Sequence, residues 1–221
     1  MMGESQHKFD APLIIAMKGH PGGGKTTLAR SIASSLKIPL IDKDDILDCT
    51  LHLQNTLIPS SPTTLSPLLN DLSYNAIWQV ASTQLRLGLS VIVDSPLSRK
   101  AHLDRLREIA ASVGGRILIV ECKPKDEAEW RRRLERRGAE TSLIPGGPGW
   151  HKPATWRDIE TRLEGYGGCT EYDVGDVPKM VVDTTGPVKF DQLCSDVLEF
   201  IVAHGGASPS YHHHHQTSKE M

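Results

Sequence analysis

Cysteine is scarce in this 221-residue chain: Cys49, Cys122, Cys169 and Cys194 are widely scattered, and no two stand in CxxC spacing. That scatter argues against a disulfide framework or a zinc site and fits reduced thiols in a cytosol-like compartment. Net charge is also small, at -2 with a sequence pI of about 6.5. A global attraction to nucleic acid is therefore missing, and charge alone points to a small substrate. No apolar run is long enough to cross a bilayer. The first residues, Met1 to Pro12, have neither the apolar core of a secretory signal nor the arginine-rich character of a transit peptide. These absences together predict a cytoplasmic protein with no membrane contact; nothing in the sequence indicates its oligomeric state.

The length suits one domain, expected over residues 1–204 with a flexible stretch at 1–12, followed by a disordered tail at 205–221. That tail is low in apolar residues and contains His212 to His215, which read as an expression remnant or linker in preference to a metal site. Apolar runs recur at 13–17, 40–41, 90–93, 117–120 and 180–182 and read as buried parallel strands. Between and after them lie helical patterns at 25–36, 68–87, 99–113, 126–137, 155–164 and 188–204. This rhythm predicts a doubly wound α/β sheet. Two stretches break it, 55–67 and 142–153, and both are expected to be loops because their prolines and glycines resist regular structure.

One motif fits at every fixed position: Gly19, His20, Pro21, Gly22, Gly23, Gly24, Lys25 and Thr26 read GxxxxGKT, after the first strand and before the first helix. Glycines let the backbone curl around phosphates and aim successive N–H groups at their oxygens, while the helix adds its positive end. Lys25 is placed to bridge the β- and γ-phosphates. Thr26 is placed to ligate Mg²⁺, with Thr27 following in the nucleotide site.

Acids stand where the second and third strands end. Asp42, Asp44 and Asp45 follow the second strand; one of them has the position to take a proton from an acceptor hydroxyl, and Asp44 and Asp45 are candidate substrate ligands. The competing reading is that Asp44 or Asp45 caps a helix beginning near Ile46. Asp94 ends the third strand, as either a magnesium or acceptor ligand or a cap before the helix at Arg99. Further on, Arg133 and Arg137 stand four apart and share a helix face, suited either to closing over the transferring phosphoryl or to an ordinary ion-pair surface with Glu129 and Glu135. The glycine- and proline-rich stretch after them suits a lid.

Together these elements resemble the P-loop kinases related to zeta toxins and to the kinase half of bacteriophage polynucleotide kinase, over residues 13–137. The resemblance implies a three-layer P-loop NTPase fold with a five-stranded parallel sheet in order 2-3-1-4-5. It also implies Asp44 as the base beside Asp45, Arg133 and Arg137 as lid arginines, and ATP with Mg²⁺ as donor. One position departs: Leu47 stands where polynucleotide kinases have an arginine that holds the acceptor's phosphate. The reading is thus an ATP-dependent kinase acting on a hydroxyl of a small metabolite, in preference to a nucleotide or polynucleotide kinase or an ATP-driven switch. No motif is assignable in the block from Trp150 to Trp156. There Trp156 either stacks on a ligand or anchors its helix, and Lys152, like Arg162, is either a phosphate contact or a solvated surface charge.

Overall fold

The computed structural model describes residues 9–57, 62–143, 147, 149, 151–166 and 170–206. Five strands, β1 (Leu13–Lys18), β2 (Leu40–Asp42), β3 (Val91–Asp94), β4 (Arg116–Cys122) and β5 (Lys179–Val182), form one sheet in the order β2-β3-β1-β4-β5. Every pairing is parallel. The helices are α1 (Lys25–Leu36), α2 (Lys43–Asp48), α3 (Leu51–Leu57), α4 (Pro62–Arg86), α5 (Lys100–Ala111), α6 (Glu127–Ser142), α7 (Trp156–Tyr166) and α8 (Phe190–Gly205).

Successive side chains of a strand point to opposite faces, and here both faces are covered. Leu13, Ile15 and Met17 of β1 enter a cluster with Leu28 and Ile32 of α1 and Val197 and Ile201 of α8. Ile14 and Ala16 enter a second cluster with Ile77 and Leu85 of α4 and Leu103 and Leu106 of α5. β4 divides the same way, with Leu118 and Val120 on one side and Ile119 on the other. The result is three layers, and it explains why these strands read as unbroken apolar runs.

Because all five strands run the same way, their carboxyl ends share one edge of the sheet. Asp42 and Asp94 are register partners at the ends of β2 and β3, with β1 beside them leading into the glycine-rich loop. Loops that leave this edge build the site.

Several expectations need correction. Phe9 is buried in the core and the Asp10 amide donates to the Gly206 carbonyl at 2.8 Å, so residues 9–12 pack on the domain and are not a flexible stretch. Gly205, expected in the tail, is the buried last residue of α8. Residues 1–8 and 207–221, including His212 to His215, lie outside the described residues, and so do 58–61 of the first expected loop. The rest of that loop is helical: α3 runs to Leu57 and α4 starts at Pro62, a first-turn position where a missing N–H breaks no helical bond. α6 likewise continues five residues past Arg137, through Gly138 to Ser142. Gly138 is needed there because a Cβ on it would sit 2.2 Å from the Ala154 carbonyl oxygen, where the chain returns across the helix.

Candidate active site

The loop from Gly19 to Thr26 joins β1 to α1 and is held from several directions. Gly19 takes a φ of 137°, and a Cβ on it would meet the Cys122 carbonyl oxygen at 2.3 Å, so only glycine fits. Its amide donates to the Pro96 carbonyl at 3.2 Å, Trp130 Nε1 donates to the Pro21 carbonyl at 2.9 Å, and Thr184 Oγ1 donates to the Gly23 carbonyl at 2.9 Å. Pro21, Gly22, Gly24, Lys25, Thr26 and Thr27 line a cleft of about 1220 Å³. Gly19 and Gly23 do not line it; they shape the loop from behind.

Lys25 donates from Nζ to the His20 carbonyl at 2.9 Å. Burial pulls its pKa down and Asp94 opposes the fall. His20 stacks on Trp130 at 6.0 Å, and burial, followed by Lys25 and Lys18, keeps it neutral by lowering its pKa.

Asp42 caps α2: its Oδ1 accepts from the Asp44 amide at 2.9 Å. The competing reading, in which Asp44 or Asp45 caps a helix near Ile46, does not hold, and the Asp44 carboxylate is left to other partners. Burial and the adjacent Asp94 raise the Asp42 pKa to about 6. Asp44 lines the cleft and meets Lys152 Nζ at 3.0 Å and Lys43 Nζ at 3.4 Å. Burial would raise its pKa, but Lys152, Lys43 and His151 together hold it at about 2. Asp45, paired with Asp44 in the sequence reading as a substrate ligand, is exposed and does not line the cleft. One helical step turns a side chain by about 100°, which takes adjacent acids to different faces.

Asp94 is 2% exposed and lines the cleft. Its Oδ2 has no hydrogen-bond partner among the described residues, and the nearby Thr26 hydroxyl favours its charged form. Burial raises its pKa against the pull of Lys25. An orphaned buried carboxylate oxygen beside a hydroxyl is a donor set that fits a hard cation. Among the described residues no three or more His, Cys, Asp or Glu side chains gather as a metal cage. Magnesium needs no such cage, since it keeps waters and takes phosphate oxygens along with one or two protein ligands.

Arg133 and Arg137 both reach the cleft from α6. Each also has partners in the protein: Arg133 pairs with Glu129 at 2.7 Å within α6 and donates to the Thr184 carbonyl at 2.9 Å, and Arg137 donates to the Pro153 carbonyl at 3.0 Å. The ion-pair and cleft-facing readings of this helix therefore both describe Arg133. Trp156 is buried against Trp130, edge to face at 5.0 Å, with Leu134 and Ile159, so it anchors α7 to α6.

Reading the sequence alone overlooked Asp48, His151, Arg136 and Thr184. Asp48 Oδ1 and Oδ2 accept from the Gly149 amide at 2.8 and 3.0 Å, and Oδ1 meets His151 Nε2 at 3.1 Å. A signal existed for Asp48, because it stands four residues after Asp44 and shares its helix face. Nothing local pointed to its partners.

A glycine cradle at the end of a central parallel strand, with a lysine and a threonine facing two strand-end acids across one cleft, defines a P-loop nucleotide-binding protein of kinase-like fold. The chain belongs to the AAA domain family of P-loop NTPases, which it matches over residues 14–145. No curated protein sequence matches it. Among solved structures it is similar to a candidate kinase from Chloroflexus aurantiacus, at 20% identity and TM-score 0.62 over 87% of this chain and 97% of that one. A sugar kinase from Janibacter aligns at 18% identity and TM-score 0.57 over 90% and 99%. Shikimate kinase from Acinetobacter baumannii, solved with shikimate, aligns at 13% identity and TM-score 0.52 over 89% and 96%. At these identities the likeness concerns the fold. No helix among the described residues is long and apolar enough to cross a membrane.

Proposed function

We propose that this chain is an ATP-dependent kinase that moves the γ-phosphate to a hydroxyl of a small metabolite, akin to the zeta toxin and polynucleotide kinase-like enzymes. The observation that carries this reading is the position of Asp44, ionised and in the same cleft as Lys25, Thr26 and Asp94. At about 1220 Å³ the cleft exceeds the roughly 300–1,000 Å³ of a single small-ligand pocket, which leaves room for donor and acceptor together. The solved kinases with the same fold, two of them named for small acceptors, support a small-molecule substrate. Leu47 lines the acceptor side and supplies no charge for the phosphate of a nucleic-acid end.

In this reading Lys25 binds the β- and γ-phosphates, and Thr26 with Asp94 would hold Mg²⁺, which would supply neutralisation of phosphate charge. The acceptor oxygen attacks the γ-phosphorus as the bond to the ADP oxygen breaks, ADP leaves with that electron pair, and the hydroxyl proton passes to Asp44. Phosphoryl transfer proceeds through a loose transition state, so the proton moves late and a carboxylate of low proton affinity suffices. Arg133 and Arg137 balance charge from the lid.

Asp44→Asn is expected to abolish transfer of labelled phosphate from ATP into a whole-metabolite extract while leaving ATP affinity nearly unchanged. Mass spectrometry of the labelled product identifies the acceptor. Unimpaired transfer by that variant removes Asp44 as base. A chain that instead binds a protein only when loaded with ATP, and labels no metabolite, is a switch.

A further inference from the structure

Gly149 and residues 151–154 lie between the acid helix and the lid helix and are fastened on both sides. On the α2 side, Asp48 takes the Gly149 amide and faces His151. On the α6 side, Arg137 holds the Pro153 carbonyl and Ala154 packs against Gly138, where no side chain fits. Within this strap the Lys152 amide donates to the Gly149 carbonyl at 2.9 Å, closing a turn, and its side chain runs over Gly149 to Asp44 Oδ2 at 3.0 Å. Both Asp44 and Lys152 line the cleft, and their side chains keep only about a quarter of their exposure, so water screens the pair weakly.

We propose that Lys152 is a positioning residue for the transfer, delivered by this strap so that placing the lid and fixing the Asp44 carboxylate toward the acceptor hydroxyl become one event. The proposal rests on the reading of Asp44 as base. Lys43 alone would leave Asp44 with a longer contact of 3.4 Å to a lysine that also lies over the Tyr74 ring at 5.5 Å. The other charged groups around Asp44 are His151 of the strap, Lys25 of the phosphate loop, Asp42 of β2 and Asp94 of β3. Lys152 and His151 are the two carried by the strap, and of these Lys152 is the one whose charged atom meets the Asp44 carboxylate, at 3.0 Å.

The test uses Lys152→Met and Lys152→Arg in the full chain, with ATP affinity measured alongside transfer into metabolite extract. Lys152→Met is expected to lower transfer on the order of 10²-fold with ATP affinity unchanged, and Lys152→Arg to restore most of it. A readout that needs no turnover is the carboxyl-carbon NMR titration of Asp44, assigned by its absence in Asp44→Asn. Its midpoint should rise by about 1–3 pH units in Lys152→Met and stay near wild type in Lys152→Arg. Wild-type transfer by Lys152→Met, or an Asp44 titration identical to wild type, overturns the proposal. If Asp44→Asn is inactive and Lys152→Met is fully active, this inference alone fails; if Asp44→Asn is active, the base reading fails instead.

Discussion

The two halves of the cleft are held by different means. In the donor half, residues adjacent in the chain are fixed chiefly through backbone carbonyls: Lys25 on His20, Trp130 on Pro21, Thr184 on Gly23 and the Gly19 amide on Pro96. In the acceptor half, charged side chains meet across long stretches of sequence, with Asp48 and its Gly149 partner 101 residues apart and Asp44 held by Lys152. Backbone anchoring does not depend on which side chains the loop carries, although its partners Trp130 and Thr184 come from 109 and 161 residues away. Side-chain pairing across the cleft needs particular residues of α2 and of 151–154 to meet. The donor half therefore depends on the backbone path of its loop, and the acceptor half on individual charged side chains.

Predictions that press on this difference start with Lys25→Ala. It should cut transfer by roughly 10³-fold or more and also weaken ATP binding, both read by radiolabel and titration calorimetry. A variant that binds ATP normally would remove Lys25 from the donor half. Next comes Leu134→Ala, which empties a fully buried position between Trp130, Trp156 and Ile159 and is expected to cost about 2–5 kcal/mol in chemical denaturation. Because α6 also carries the Trp130 anchor to the phosphate loop, this change should loosen both halves.

Gly138→Ala is narrower. The new Cβ collides with the Ala154 backbone, so a loss of about 1–3 kcal/mol is expected, with transfer falling more than ATP affinity. If ATP affinity falls just as far, the halves are not separable. His102, on the acceptor side, gives a pH test: burial, then Arg99, depresses its pKa to about 4. The unfolded chain takes up that proton near pH 6.5, so the stability contribution is complete above pH 6.5 and is lost as pH falls from there through about 4. His102→Phe, which keeps the ring against Tyr74, should show a smaller drop in melting temperature between pH 7 and 4.5 than the wild type. The smallest effect is expected for Asp45→Asn. Exposed and outside the cleft, it should change transfer by less than about threefold, against the abolition expected for its neighbour Asp44.

The strands, the phosphate loop and the order of elements were legible in the sequence because each is a local pattern: a buried apolar run, or glycines followed by Lys25 and Thr26 between a strand and a helix. The Asp44 and Arg133/Arg137 positions were legible as candidates, since strand ends and four-residue spacing are also local. The family resemblance singled out Asp44 over Asp45, whereas the residues alone left them equal; the Asp42 cap sets where α2 begins, and Asp44 lines the cleft. The helical course of α6 through Gly138 was hidden. Glycine reads as a stop until the returning Ala154 backbone explains it.

By itself the sequence determined a doubly wound sheet with a nucleotide cradle, because hydrophobic period and phosphate-loop geometry depend on near neighbours. Tertiary structure decided the acceptor half: how Asp48 holds Gly149, and that Lys152 meets Asp44. Those contacts join residues about a hundred positions apart, and no pattern within either segment encodes the other; only the packing of the lid over the sheet edge brings them together.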